Sequence, residues 1–553
     1  MPTPYPDCGT FTFTHPQLGQ LTGVSSPHNV IQFRAIPYAT IPARFERSSL
    51  LHDISHTDHN FTKPGYACPQ IFGDDTVGGG PFPDETSPPQ SDEFQCLILQ
   101  INVPLAVLQS STSPDKLPVL VYIHGGGFVL GKIDPQHNTA LMVEQSILDS
   151  QPTISASIQY RLGALGYLQT PEPNNSNLAL HDQRNALLWI QKFIGGFGGD
   201  HRKVTVFGES AGSMSICYHM LSAPPEDQPL FNRVILQSGA LGPMSSPLSV
   251  QDANELFENL LRTAEIVERG REGLAKLREL SVDKIVDLTA KLSGDGVMWL
   301  PVQDEDWFGS HAGSVTWDRS AELISQCEWI EEVVMGCTSF EGTTFMAGIS
   351  GITPRDFIRG IADQLGNESA EVIGRAYHIS AEMDQNLFIN RALRWVGDVV
   401  FDAPMHALAK SLSRNTTKKV YRYVFNVRNP FPNHHLYQQP HHWVDVYYVF
   451  KTFQFRYPTQ RLKDISTRHA QLWVEFANGK SPWAEYNYTG TGDEVVIVAD
   501  EREGWVERSV AEDERIMETS WRRCEALWES WKNVEGRPFV PLKIEPLKGK
   551  KLV

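Results

Sequence analysis

Short apolar runs recur along the chain and predict strands that are buried on both faces. Leu117–Ile123 and Val204–Phe207 are almost wholly apolar and end close to glycine, and Val234–Leu236 and Val333–Met335 have the same character. Continuous apolar runs of this length, unlike alternating ones, are typical of strands inside a parallel sheet. The pattern therefore predicts a set of central parallel strands.

Helical patterns separate these predicted strands. Ala179–Phe193 and Ser213–Leu221 carry apolar residues at helical spacing, and a longer amphipathic stretch extends from Asp252 to Leu292. Because strands that alternate with helices form a sheet covered by helices on both faces, the pattern predicts a doubly wound α/β architecture. Near the C-terminus the same spacing predicts one more packed helix face: Met517, Trp521, Cys524, Trp528 and Trp531.

The organisation of the chain indicates one large domain. Residues 73–93 are rich in Gly, Pro and acidic residues, so they are predicted to form a loop. The sequence contains no internal repeat and no linker long enough to separate domains. We therefore expect a single domain over residues 1–553, with a core from about 8 to 535, helical insertions, and a basic tail at 543–553.

Composition and charge exclude several classes of function. With 41% apolar and 20% charged residues the chain has the composition of an ordinary globular protein. A net charge of -17 without a dense basic stripe disfavours nucleic acid and anionic membranes as partners. No apolar run reaches the length of a membrane span. No pattern assigns an oligomeric state.

The N-terminal residues and the cysteines bear on location and metal binding. Residues 1–33 contain neither Lys nor Arg and no sustained apolar run, both of which a secretory signal requires. We therefore expect a cytoplasmic protein. The seven cysteines form no C-x-x-C pair and no zinc spacing, so no metal site is expected.

One short motif predicts a nucleophile. Residues 208–212 read Gly-Glu-Ser-Ala-Gly, which places G-x-S-x-G between a predicted strand and a predicted helix. The glycines permit a turn too sharp for Cβ atoms, so Ser210 would be exposed at the edge of the sheet. A glycine-rich turn with a capping serine would have the same letters, but the flanking strand and helix favour the nucleophile.

A glycine run supplies candidate donors for an oxyanion. His124-Gly-Gly-Gly-Phe128 follows the strand that ends at Ile123 and matches the H-G-G-G loop. We expect the backbone N–H groups of Gly126, Gly127 and Ala211 to form the oxyanion hole. Residues 126–132 also satisfy most of a phosphate-binding G-x-x-x-x-G-K-[ST] loop, but the next residue, Ile133, offers no hydroxyl for magnesium.

Further motifs follow the same order as in a known family. They are Cys68-Pro-Gln70, Cys96-Leu97 with Asn102-Val103, Tyr160–Tyr167, Leu180–Gln183, Phe197–Asp200 and Gln237–Gly239. With these motifs the chain resembles the type-B carboxylesterase and cholinesterase-like family over nearly its whole length. The resemblance implies the α/β-hydrolase fold: a large, mostly parallel central sheet flanked by helices, with helical insertions that form a cap around an active-site gorge.

The resemblance also implies the remaining members of a catalytic triad. The family's acid is a glutamate before glycine, which Glu341 matches, and its histidine precedes an acid by three residues, which His442 and Asp445 match. The order Ser, Glu, His is that of the fold. His441 is adjacent, but its spacing to Asp445 does not fit. We therefore expect Ser210, Glu341 and His442 to be catalytic.

Three other residues match family positions with supporting roles. Glu209, beside the nucleophile, is expected to support the triad or to act electrostatically at the substrate site. Arg161 and Asp182 match a buried ion pair that belongs to the scaffold.

Cys68 and Cys96 match the pair that closes a loop beside the active site, so they are a disulfide candidate, although a reducing compartment opposes an oxidised bridge. The family's glutamate two residues before the second cysteine is Phe94 here, and Glu93 can replace it as the partner of Arg44 through a shifted loop.

Together these residues predict a serine carboxylesterase that needs no cofactor or metal and acts on a small-molecule ester. His442 would deprotonate Ser210, and water would release the acyl group. An acyltransferase or a lactone-forming or lactone-opening enzyme could use the same triad, and an inactive binding relative is disfavoured by the intact triad. The loop between Cys68 and Cys96 contains Phe72 and Phe82 but no tryptophan, which makes choline esters poor candidates.

Overall fold

A computed structural model describes residues 7–72, 89–110, 115–173, 175–222, 228–415, 417–517 and 521–536. Within these residues twelve strands form one sheet and two short strands form a second. The strands are β1 (Thr10–His15), β2 (Gly19–Ser25), β3 (Val30–Pro37), β4 (Ala39–Thr40), β5 (Ser49–Leu50), β6 (Ile98–Pro104), β7 (Leu117–Ile123), β8 (Ile154–Ile158), β9 (Gly199–Glu209), β10 (Arg233–Gln237), β11 (Glu332–Thr338), β12 (Lys419–Phe425), β13 (Val495–Asp500) and β14 (Gly504–Ser509).

The centre of the large sheet is parallel and its edges are antiparallel. The strand order is β1-β2-β3-β6-β8-β7-β9-β10-β11-β12-β13-β14. In this order, every neighbouring pair from β8 to β13 is parallel. The neighbouring pairs from β1 to β8 are antiparallel, and so is the pair of β13 with β14. The predicted strands are β7, β9, β10 and β11, which are adjacent in this order, so the expectation of central parallel strands is confirmed.

Helices connect the strands and cover both faces. They are α1 (Leu105–Gln109), α2 (Ala140–Leu148), α3 (Gly163–Tyr167), α4 (Leu178–Phe193), α5 (Ala211–Met220), α6 (Val250–Thr263), α7 (Gly270–Glu279), α8 (Val282–Gly294), α9 (Glu305–Phe308), α10 (Ser320–Ser325), α11 (Met346–Ile349), α12 (Pro354–Leu365), α13 (Asn367–Ala376), α14 (Gln385–Gly397), α15 (Ala403–Asn415), α16 (Val444–Val449), α17 (Gln460–Ala477), α18 (Val510–Met517) and α19 (Trp521–Trp531).

Alternation along β7 divides the core into two layers. Val119 and Val121 point into the larger hydrophobic cluster, which includes Trp189 of α4. Leu120 belongs to the cluster on the other face, which includes Trp473 of α17. Six of the seven residues of β7 are buried. A strand buried on both faces has no polar side to display, and this explains the continuous apolar run in its sequence.

The amphipathic stretch from Asp252 to Leu292 is divided into α6, α7 and α8. Glu265 follows α6 with φ of 60°, a left-handed conformation that stops the helix. Ser281 caps α8 by accepting a hydrogen bond from the amide of Lys284. Local capping chemistry thus interrupts a pattern whose apolar period continues. These helices lie in the connection between β10 and β11.

Ion pairs fix the loops that lead to the central strands. Arg161 and Asp182 are both buried, with Nε and Oδ2 2.7 Å apart. The guanidinium of Arg44 donates to both carboxylate oxygens of Glu93, at 2.7 and 2.6 Å. Glu93 is therefore the partner of Arg44, as expected from the replacement of the family's glutamate by Phe94. Removing one member of the buried pair would leave an uncompensated charge.

Cys68 and Cys96 are buried and carry free thiols. The two side chains form a hydrogen bond, and this bond together with burial raises the pKa of Cys96 well above its ordinary value. The thiols are therefore neighbours, while their oxidation in solution stays untested.

Several expectations fall on residues 73–88, 518–520 and 537–553, which lie outside the described residues. They include most of the predicted loop, the link between Met517 and α19, and the basic tail. Within α19, Trp521, Cys524 and Trp531 are buried, as the helical spacing predicted. No helix among the described residues is long and apolar enough to cross a membrane. The single-domain organisation stays a prediction.

Candidate active site

The turn between β9 and α5 holds Ser210 in a strained conformation. Its φ of 55° and ψ of -122° lie outside the regions that L-residues normally adopt. A Cβ atom on Gly212 would lie 2.1 Å from the carbonyl oxygen of Ile123, and one on Gly208 would lie 2.7 Å from the same oxygen. Both glycines of the motif are therefore required by close backbone approach, and this packing forces the sharp turn.

Ser210 is half-buried at the carboxyl ends of β9 and β10. Its amide donates to the carbonyl of Gln237 at 2.9 Å. Among the described residues, no hydrogen bond joins its Oγ to another side chain. Ser210 is thus at the predicted edge of the sheet, but it is half-buried where the motif predicted an exposed residue.

Glu341 contacts the imidazole of His442 and is itself held by hydrogen bonds. Its Oε2 lies 2.5 Å from Nδ1 of His442. Its Oε1 accepts from the hydroxyl of Ser238 at 2.7 Å and from the amide of Thr338 at 2.6 Å. Donors to a carboxylate favour its charged form. A charged Glu341 would keep the proton on Nδ1 and leave Nε2 as a base.

The packing around His442 fixes the plane of its ring. Phe401 stacks on the imidazole with ring centroids 4.2 Å apart and an interplanar angle of 21°. Phe401 belongs to a π-helical turn, Asp398–Asp402, between α14 and α15. The amide of Phe340 donates to the carbonyl of Pro440 at 3.1 Å, which joins the acid loop to the histidine loop. Sequence reasoning missed Phe401 and Ser238.

His441 faces away from Glu341. Its Nε2 lies 3.0 Å from the amide nitrogen of Asn429, and its ring stacks on His434 with centroids 5.4 Å apart. Burial lowers the pKa of His441 to about 3, so its imidazole is neutral. Of the two adjacent histidines, His442 is the one that contacts the acid.

Glu209 lies on the opposite side of His442. Its Oε1 is 3.1 Å from Nε2, its side chain is fully buried, and neither oxygen has a hydrogen bond among the described residues. Burial raises the pKa of Glu209 well above its ordinary value, and the charges of Asp445 and Glu341 add to the effect. The imidazole is therefore flanked by two carboxyl groups with contrasting surroundings.

Asp445 lies beneath this arrangement. Its Oδ2 accepts from the side-chain amide of Gln237 at 2.9 Å and from the hydroxyl of Tyr423 at 3.2 Å. Burial raises its pKa to about 6, although the bond from Gln237 opposes the shift. The acid that identified His442 in the sequence is a buried structural group.

The glycine loop folds back beside the serine. Gly126 and Gly127 have φ of 113° and 60°, and a Cβ on Gly126 would lie 2.1 Å from the carbonyl oxygen of Leu130. A Cβ on Gly125 would lie 2.4 Å from the carbonyl oxygen of Glu209, so the loop packs directly on the serine turn. Only glycine fits both close approaches without clash.

Three amides at this junction donate to no backbone carbonyl among the described residues: those of Gly126, Gly127 and Ala211. Ala211 is the first residue of α5, where helix geometry leaves the N–H without an internal partner. The positive end of the helix dipole lies at the same point. Free amides grouped beside a half-buried serine suit the binding of an oxyanion.

An apolar cavity of 220 Å³ adjoins the glycine loop. Val129 and Leu130, which follow Gly127, form one wall, and Leu165, Ile285 and Ala290 form the wall provided by α3 and α8. Across the described residues, no group of three His, Cys, Asp or Glu side chains is arranged to hold a metal ion.

Comparisons with known proteins show which family the chain resembles. The model of the carboxylesterase family matches residues 12–519. Lipase 1 of Yarrowia lipolytica is 28% identical over 473 residues, 84% of this chain and 87% of that protein. A secreted triacylglycerol lipase of Gibberella zeae is 32% identical over 345 residues, 58% of this chain and 56% of that protein.

Among solved structures, a PNB esterase has a TM-score of 0.69 at 24% identity and covers 91% of this chain and 98% of its own. This likeness covers most of both chains. It confirms the fold that the family resemblance implied. The chain belongs to the carboxylesterase family, has the α/β-hydrolase fold and is a carboxylic ester hydrolase.

Proposed function

We propose that the chain hydrolyses esters through an acyl-enzyme on Ser210, with His442 as general base and Glu341 as the acid that orients it. The observation that carries the proposal is the 2.5 Å contact between Nδ1 of His442 and a carboxylate held by Ser238 and Thr338. This contact selects the imidazole tautomer whose Nε2 can accept a proton. The strained turn at Ser210 directly follows Glu209, whose Oε1 lies 3.1 Å from that nitrogen.

Acylation begins when Oγ of Ser210 attacks the ester carbonyl carbon and Nε2 of His442 takes its proton. The tetrahedral oxyanion is stabilised by the amides of Gly126, Gly127 and Ala211. Nε2 then returns the proton to the leaving alcohol as the C–O bond breaks. Nε2 lies near Glu209 before substrate binds, and such contacts often rearrange when the substrate arrives.

Deacylation repeats the same steps with water as the nucleophile. His442 takes a proton from water, and the carboxylic acid leaves as Ser210 regains its proton. An alcohol that reached the acyl-enzyme would give acyl transfer instead, so transferase or lactone chemistry is the alternative to be measured beside hydrolysis.

We further propose an aliphatic ester as substrate. The 220 Å³ cavity beside the glycine loop is lined mainly by Val, Leu, Ile and Ala and has the volume of roughly seven water molecules at ~30 Å³ each. Such a space suits a short aliphatic acyl or alcohol group. One relative is by name a triacylglycerol lipase. The cytoplasmic location stays a prediction, since that relative is by name secreted.

The test compares Ser210→Ala with Ser380→Ala on p-nitrophenyl esters of increasing acyl length. Ser380 is exposed and its hydroxyl has no hydrogen bond among the described residues, so it provides a chemically matched control. We expect Ser210→Ala to lose at least about 10⁴-fold in kcat and Ser380→Ala to keep wild-type activity. Near wild-type turnover by Ser210→Ala would overturn the proposal. Added alcohol separates hydrolysis from transfer.

A further inference from the structure

A cavity of 620 Å³ lies away from Ser210, between the helices near the C-terminus and α14. Within the described residues its wall is dominated by arginine. The arginines are Arg391, Arg394, Arg515, Arg522 and Arg523. In a chain with a net charge of -17, so many guanidinium groups around one space are a local reversal of sign.

Three helices supply these side chains. Arg391 and Arg394 are three residues apart on α14 and so lie on the same face. Arg515 lies on α18, and Arg522 and Arg523 lie in the first turn of α19. The arginines therefore converge from separate elements, and no single basic helix accounts for them.

Carboxylates balance the charges of Arg522 and Arg523. Nε of Arg523 lies 2.9 Å from Asp398, and Nε of Arg522 lies 2.8 Å from Glu514. Burial opposes the charge of Arg523, but Asp398 more than offsets this and keeps the pKa of Arg523 above its ordinary value. These two arginines are charged and ion-paired.

The balance of the cavity remains positive. Arg391 and Arg515 have no ion pair and no side-chain hydrogen bond in the described part of the chain. The N-terminus of α19 adds the positive end of a helix dipole. Glu514 lies at this end and accepts a hydrogen bond from the amide of Arg522 at 2.7 Å. Like charges gathered without balancing anions repel one another, so an anion would stabilise this region.

Arg394 connects the cavity to the loop that bears Glu341. Its Nη1 donates to the carbonyl of Ser339 at 3.4 Å, and its guanidinium lies 4.6 Å from the ring centroid of Phe340. The residues that line the cavity include neither Glu341 nor His442 among those described. It is a separate space and takes no part in the ester chemistry derived above.

We propose that this cavity binds a small phosphate-bearing anion through Arg391 and Arg515. The planar guanidinium fork donates two parallel hydrogen bonds to phosphate oxygens, which explains why arginine is preferred at such sites. The volume exceeds that of a single phosphate and accommodates a diphosphate or a phospholipid headgroup. The proposal is independent of the esterase proposal, because none of these arginines belongs to the triad or the oxyanion hole.

The experiment is isothermal titration calorimetry of the full chain with inorganic pyrophosphate at fixed ionic strength. We compare wild type with the double variant Arg391→Gln/Arg515→Gln. The matched control is Arg262→Gln/Arg271→Gln, which removes two exposed arginines that also have no ion pair among the described residues. We expect the double variant to weaken binding by about 10-fold or more, since each lost arginine removes charge-assisted hydrogen bonds, and the control to bind as wild type does.

Sedimentation with vesicles identifies the source of the phosphate group. Arginine-dependent binding to phosphatidic acid vesicles but not phosphatidylcholine vesicles supports a headgroup, whereas binding of pyrophosphate alone supports a soluble ligand. Thermal melting of each variant checks that it is folded. Absence of binding to both probes, equal binding of acetate, or unchanged affinity in the folded double variant would overturn the proposal.

Discussion

The two carboxyl groups that flank His442 have opposite surroundings. Glu341 accepts hydrogen bonds from a serine hydroxyl, a backbone amide and the imidazole, whereas both oxygens of Glu209 lack hydrogen bonds among the described residues. Both are buried. The comparison teaches that hydrogen-bond donors oppose the effect of burial at Glu341, whereas at Glu209 burial, which favours the neutral form of a carboxyl, acts without such opposition.

The largest expected loss of activity comes from neutralising Glu341, the carboxylate that accepts three hydrogen bonds. Glu341→Gln keeps the size of the side chain but no longer holds the proton on Nδ1 or balances the imidazolium. We expect kcat on p-nitrophenyl butyrate to fall by about 10³- to 10⁴-fold. Circular dichroism should show that the fold is kept. A variant with activity within a few fold of wild type would mean that another group orients the imidazole.

Asp445 extends the comparison, because it has two donors and yet a raised pKa of about 6. Its folded pKa lies above its reference value of 3.8, so the folded state binds more protons between about pH 4 and 6 and its stability falls as the pH rises through that window. Asp445→Asn removes this pH-dependent contribution to the stability of the fold.

The free energy of unfolding of Asp445→Asn, measured with urea and taken relative to wild type, should therefore rise by about 2–3 kcal/mol from pH 4 to pH 6. Parallel curves for the two proteins would contradict the raised pKa. A difference of the opposite slope would mean that the fold stabilises the charged form of Asp445.

The smallest effect is expected at Glu209. Burial raises the pKa of Glu209 well above its ordinary value and so favours the neutral side chain, which the isosteric amide in Glu209→Gln resembles. We expect kcat/KM to fall by less than about 10-fold, far less than for Glu341→Gln. Equal losses in the two variants would show that Glu209 is charged when it acts and would end the contrast between them.

The parts of the site that sequence could predict are local. The serine turn is specified by Gly208 and Gly212 within five residues, and the strand before it by its own apolar run. Glu341 and His442 were accessible only through the family resemblance, because 131 and 232 positions separate them from Ser210. The choice between His441 and His442 needed the spacing to Asp445.

What sequence could not predict depends on contacts between distant elements. Phe401 reaches His442 from a π-helical turn, and Ser238 reaches Glu341 from the end of β10. The arginine cavity combines α14 with α18 and α19 across more than one hundred residues of chain. In each case the side chains are ordinary in sequence, and only the packing brings them together.

The central claim is that Ser210 is the nucleophile, and covalent labelling tests it most directly. The chain is treated with a fluorophosphonate, which reacts with an activated serine, digested and analysed by mass spectrometry. We predict one adduct per chain, on the peptide that contains Ser210. The adduct should be absent in Ser210→Ala, and it should form more slowly in Glu341→Gln. An adduct on another serine, or labelling that persists in Ser210→Ala, would contradict the account.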